Sequence, residues 1–170
     1  MSAQHYYLVA SLPSLSFREE PPITEEKFLE ECGKWLSEKE MRDLSISKED
    51  GAEKESLPAV GAAWREFDDS LRKDLAEARR ARKDRTELKP SFWAARVMEQ
   101  ANPLEMELFF EKIRWDFLSS LEGGHFFDIG KLIVYYQKLD ILERLSKFDK
   151  DNGEMYFNRI REVKYDYTAG

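Results

Sequence analysis

A chain of 170 residues is long enough to bury a real core, and its 42% hydrophobic and 13% aromatic content excludes a wholly disordered polymer. The formal net charge of −7 argues against nucleic acid as the main partner, because sequence-independent affinity for phosphate comes from an excess of Lys and Arg. Cys32 stands alone, which excludes an internal disulfide and leads us to expect a cytoplasmic protein.

The opening segment, HYYLVASLPSLSF, is apolar and ends at Pro13; its length leaves strand and short helix both open. No basic stretch precedes the apolar run, and the run is far shorter than the ~20 residues of a membrane span, so no direct insertion is expected. In PPITEEKFLEECGKWLSEKEMRDLSIS, Thr24 is an N-cap candidate, Glu25 and Glu26 fill the first turn, and Phe28, Leu29 and Cys32 form an apolar stripe. Gly33 stops or kinks this helix. Ser37, with Glu40 three residues on, has the form of a capping box opening a second short helix that carries Met41 and Leu44.

Residues 48–56, KEDGAEKES, contain Gly51 and almost no apolar side chain, which predicts an exposed loop between the pair of short helices and the main bundle. After Pro58, the residues Val60, Trp64, Phe67, Leu71, Leu75 and Ala78 recur at spacings of three and four, as in an amphipathic helix. Its tail, EARRARKDR, holds Arg79, Arg80, Arg82, Lys83 and Arg85, a candidate interaction patch for an acidic partner. The competing reading is a solvated helix end, since cations favour a helix C-terminus.

Ser91 is placed to cap a short helix through Glu99, and Asn102 with Pro103 opens the next. Met106, Phe109, Phe110, Ile113, Phe117 and Leu121 give that helix one apolar face, which Leu108, Trp115 and Leu118 widen before Gly123 and Gly124 close it. Asp128 then caps DIGKLIVYYQKLDILERLSKF, a helix apolar on more than one side and so expected to run through the middle of a bundle. A last helix is expected from Gly153 to Lys164, through Met155, Tyr156, Ile160 and Val163. Together these elements predict an all-α fold, a single helical bundle of about six to seven helices, with a short strand at the N-terminus left open.

Chemical motifs are few. The DKDNG run suggests a calcium loop, but with Asp149 and Asp151 at the first and third ligand positions Gly153 falls at the fifth and Ile160 at the twelfth, where oxygen ligands are needed. A helix-to-helix turn is the expected role. His5 and His125, the only histidines, have no partner at a metal-ligand spacing, and no nucleophile is paired with a base, so neither metal, cofactor nor catalytic residue is expected. The tryptophans Trp35, Trp64, Trp93 and Trp115 read as core, because an acidic chain lacks the basic groove that single-strand binding needs.

The stretch FFEKIRWDFLSSLEGGHFFDIGKLIVYYQKLDILERLSKFDKDNGEMYFNRIREV, with the opening YYLVASLPSL, resembles a family of uncharacterised bacterial proteins associated with V-type ATPase gene clusters. More remotely, ITEEKFLEECGKWLSEKEMRDL is similar to the tandem short helices, and FDIGKLIVYYQKLDILERL to the long buried helix, of the central-stalk C subunit of archaeal-type rotary ATPases, itself similar to eukaryotic subunit d. That subunit is a larger helical funnel, and where its buried helix continues into a Glu-x-Arg-Asn-like run this chain has Lys138, Asp140, Glu143 and Arg144 followed by Leu145. The resemblance implies a non-catalytic interaction or adaptor protein, a reduced C-like or accessory component whose partners are other V-type ATPase subunits at the cytoplasmic face of the membrane. The alternative is a small-ligand or metal-binding regulator that uses the turn at 149–154 or His125.

Overall fold

A computed structural model describes residues 3–49, 56–87 and 89–147. The turn at 149–154, the last expected helix and most of the expected loop at 48–56 lie outside the described residues. Within them the fold is all-α, with no strand. The helices are α1 (Ala3–Ser11), α2 (Glu25–Gly33), α3 (Glu38–Ile46), α4 (Ala59–Asp84), α5 (Phe92–Met98), α6 (Pro103–Leu121) and α7 (Ile129–Ser146). A 3-10 turn, Glu122–Gly124, joins the last two.

The N-terminal segment is therefore a helix and not a strand. Helical spacing lets Leu8 disappear completely into the core while Val9 and Leu12 pack beside it against α7. The same spacing turns Tyr6 and Tyr7 outward.

Helix starts follow the sequence signals. Thr24, Ser91, Asn102 and Asp128 each accept a hydrogen bond from the backbone N–H three residues on, and Ser37 with Glu40 forms a complete capping box. At the other end of α4, Arg85 closes the helix in the left-handed region, φ 54° and ψ 35°, and Thr86 N–H donates to the Ala81 carbonyl at 3.0 Å. This is the position that glycine normally fills, because an L side chain there crowds the next carbonyl. Arg85→Gly is expected to raise the unfolding free energy by about 0.5–1 kcal/mol. Urea denaturation checks this as a higher midpoint with an unchanged slope.

Helix α7 is the centre of the bundle, packed by α1, α2, α3, α4 and α6. Leu132, Ile133, Val134, Leu139 and Ile141 are wholly buried, as its two-sided apolar pattern predicts. Polar groups fasten its flank to α2 and α3. The Glu25 N–H, at the start of α2, donates to Glu143 at 2.7 Å; Tyr136 Oη donates to Glu25 at 2.5 Å; and Lys48 Nζ bridges Glu25 and Asp140 at 2.5 and 2.9 Å. Burial would raise the Glu25 pKa, but Lys48 and the Tyr136 hydroxyl outweigh it and hold the carboxyl below its usual range.

A second core, Leu71, Leu75, Val97, Phe110 and Ile113, joins α4, α5 and α6. Charged residues also enter the interior, which the apolar patterns alone do not announce. Arg114 is 4% exposed; its Nε donates to Asp68 Oδ1 at 2.7 Å and its Nη1 to Glu111 Oε2 at 2.7 Å. The guanidinium also lies 5.1 Å from the Trp64 ring centroid and 5.7 Å from that of Phe110, within cation–π range. Glu111 is fully buried, and its Oε1 meets Arg144 Nη2 at 2.6 Å in an ion-pair contact without hydrogen-bond alignment. Arg72 on Asp68 and Glu107 on Arg144 complete an alternating series of charges across α4, α6 and α7.

Candidate functional site

The most distinctive surface is aromatic. Tyr6 and Tyr7 of α1 are 51% and 61% exposed, Trp35 in the turn after α2 is 39% exposed, and Phe126 ahead of α7 is 70% exposed. Ring contacts make most of this surface continuous: Tyr6 to Tyr7 at 5.7 Å, Tyr7 stacked on Trp35 at 6.2 Å, and Tyr6 against Phe127 at 4.7 Å. Aromatic rings offer large contact area with few rotors, which is why Tyr and Trp are enriched where binding energy concentrates at protein interfaces.

Each histidine anchors one side of this surface. His5 Nε2 donates to Glu40 at 2.8 Å, tying α1 to the first turn of α3 just before Tyr6 and Tyr7. Glu40 is the capping-box acid, and bonds from Ser37 first, then His5, hold its pKa below the usual carboxylate range. On the other side, His125 Nδ1 donates to Asp128 Oδ2 at 2.7 Å, closing the short loop that carries Phe126 and Phe127. The other oxygen of Asp128 accepts the Lys131 N–H at 2.9 Å as N-cap of α7. Burial would raise the Asp128 pKa, but the His125 bond and the backbone N–H groups outweigh it and lower it. Gly130 makes the closure feasible: a Cβ there would sit 2.5 Å from His125 Nδ1. The contact closes the loop and sets the positions of Phe126 and Phe127 within it.

This corrects the reading of all four tryptophans as core. Trp64 and Trp115 are buried, but Trp35 and Trp93 are 39% and 43% exposed, because one sits in a turn and the other on the outer side of a short helix. Phe92 and Trp93, in edge contact at 5.0 Å, form a smaller exposed aromatic pair at the start of α5.

The predicted basic patch is exposed throughout, at Arg79, Arg80, Arg82, Lys83 and Arg85. Its side chains do not converge. At roughly 100° per residue, Arg79 and Lys83 share one edge of α4 with Arg72, Arg80 turns away from it, and Arg82 continues the buried line past the end of the core. Arg79 alone of the five lines a groove of about 240 Å³, together with Arg72, Glu107, Phe110 and Arg144. Arg72 and Arg144 are already neutralised there by Asp68, Glu107 and Glu111.

Other reactive side chains are tied down. Burial, with the Glu31 charge adding to it, pushes the Cys32 thiol up to about 12, which makes it a packing residue and not a nucleophile at neutral pH. Burial likewise pushes Tyr135 up to about 12. Among the described residues no three His, Cys, Asp or Glu side chains are grouped so that they could hold a metal ion, and no helix is long and apolar enough to cross a membrane. Compared with known proteins, the chain gives no significant match to any family model, curated protein or solved structure.

Proposed function

We propose that this protein is a non-catalytic docking protein that engages a partner through the aromatic surface of Tyr6, Tyr7, Trp35 and Phe126. The reading is supported by the continuous ring contacts of Tyr6, Tyr7, Trp35 and Phe127, with Phe126 exposed beside Phe127 in the loop that His125–Asp128 closes, and with His5–Glu40 tying α1 to α3. Anchoring the rings in the free protein lowers the ordering cost of association, the usual route by which a small aromatic patch becomes a strong contact. In this reading the His125–Asp128 pair serves to close the loop that carries Phe126 and Phe127.

The resemblance to proteins of V-type ATPase gene clusters and, more remotely, to the central-stalk C subunit supplies the partner: a subunit of a rotary ATPase, met at the cytoplasmic face of the membrane. In this reading the protein is a reduced C-like or accessory component. Tagged full-length protein recovered from native membranes is expected to bring ATPase subunits with it. The double substitution Tyr7→Ser and Trp35→Ser, on exposed positions, is expected to reduce that recovery by about tenfold or more. Absence of ATPase subunits from the wild-type sample, or equal recovery with the variant, would sink the proposal.

A further inference from the structure

A cavity of about 280 Å³ lies between the segment that follows α1 and the N-terminal half of α7. Val9, Leu12, Leu15 and Leu132 give it apolar walls. The remaining lining includes three charged side chains, Glu122, Lys131 and Lys138. Lys138 Nζ donates to Glu122 Oε1 at 2.8 Å, and Lys131 Nζ lies 3.4 Å from Oε2. One carboxylate therefore faces two ammonium groups, and one positive charge is left without a counter-charge in the cavity.

Lys138, 9% exposed, is satisfied by Glu122 and by the Trp115 ring, whose centroid lies 4.9 Å from its Nζ; Lys131, 28% exposed and held only by the longer contact, is the ammonium left open to an incoming anion. The site is also held in shape: Tyr135 Oη donates to the Pro13 carbonyl at 2.9 Å, fastening the segment after α1 to α7. A hollow with an apolar wall and a few converging polar groups is a common form of small-molecule site.

We infer that this cavity binds a small amphipathic carboxylate, an aryl or short alkyl acid. Its apolar part would lie against Val9, Leu12 and Leu132, and its carboxylate would take up the charge that Glu122 leaves unbalanced on Lys131. The size agrees, because an apolar cavity of roughly 150 Å³ accommodates a benzene ring, leaving room here for a short acid arm. The inference does not rest on the docking surface, which lies on other residues.

Hydrocinnamate and its uncharged counterpart, hydrocinnamyl alcohol, test it by titration calorimetry and amide NMR on the full chain. Hydrocinnamate is expected to bind one per chain and to shift the amide resonances of Leu12, Ser14, Leu15 and residues 131–138, with the alcohol about tenfold weaker. Lys131→Gln is expected to weaken hydrocinnamate by about tenfold, whereas Glu122→Gln, which frees both lysines, is expected to tighten it. Glu122→Gln should also lower the melting temperature of the free protein, and hydrocinnamate should restore it. The inference is overturned by equal binding of acid and alcohol, by affinity changes of the same sign in the two variants, by shifts confined to other residues, or by no saturable binding at millimolar acid.

Discussion

Replacing Arg114 by alanine is expected to lower the unfolding free energy by about 3–5 kcal/mol, a large part of the ~5–15 kcal/mol that holds a typical domain together. The guanidinium is the common partner of Asp68 and Glu111, and its loss leaves the fully buried Glu111 with Arg144 alone. The effect has a pH signature. In the wild type, burial raises the Glu111 pKa above its ordinary 4.5, outweighing the attraction of Arg114 and Arg144. A carboxyl whose pKa is raised in the folded state favours folding fully below its unfolded value, and this contribution is lost as pH rises through the folded value. Without Arg114 the charged form is worse still, so the deficit of the variant should deepen as pH climbs from the ordinary carboxylate range toward neutrality.

Removing all three charges together should restore stability. When Asp68, Glu111 and Arg114 are together replaced by Leu, Met and Met, no buried charge is left unpaired, and most of the lost stability should return. Arg72 and Arg144 would then face solvent, where their side chains are already 47% and 33% exposed. Chemical denaturation of the single and triple variants decides the matter; a triple variant less stable than Arg114→Ala would show that the charges contribute more than their desolvation costs.

Phe28→Ala is expected to cost a similar amount, about 3–5 kcal/mol, by a different route. Phe28 is fully buried and stacks on both Tyr135 and Tyr136, with centroids at 5.2 and 5.3 Å. Alanine is a better helix former than phenylalanine, so any loss reflects packing between α2 and α7 and not the helix itself. The neighbouring Leu29, only partly buried, should cost clearly less when truncated. Thermal and urea unfolding of the two variants side by side would check the ranking.

Much of the architecture is legible in residue spacing. Trp64, Leu71, Leu75 and Ala78 keep helical period over α4, and the caps at Thr24, Ser37, Ser91, Asn102 and Asp128 need only local chemistry, so they can be read without tertiary information. The strand or helix choice at the N-terminus is different, because a run as short as residues 5–12 carries too few turns to show a period. The buried charges had a local signal. Asp68 sits four residues after Trp64, and Arg114 four after Phe110 and four before Leu118, on the apolar lines of their helices. Spacing can place a charge on a buried line but cannot say which distant residue will neutralise it.

The candidate surface was least legible. Tyr6 and Tyr7, Trp35 and the Phe126–Phe127 loop come from three separated segments, two of them outside any regular helix, and only the packing of α1 beside the turn after α2 and against Phe127 of the loop before α7 brings the rings together. The basic run near Arg79, conspicuous in the sequence, is instead spread around the end of one helix.

Site-specific photocrosslinking in cells reads out what the aromatic surface meets. A photoreactive residue at position 35 on the aromatic surface, with position 80 on the basic end of α4 as control, is expected to yield a covalent adduct to a rotary ATPase subunit from position 35 only. Adducts to such a subunit from position 80 alone, or none from position 35 when the complex is present, would contradict it.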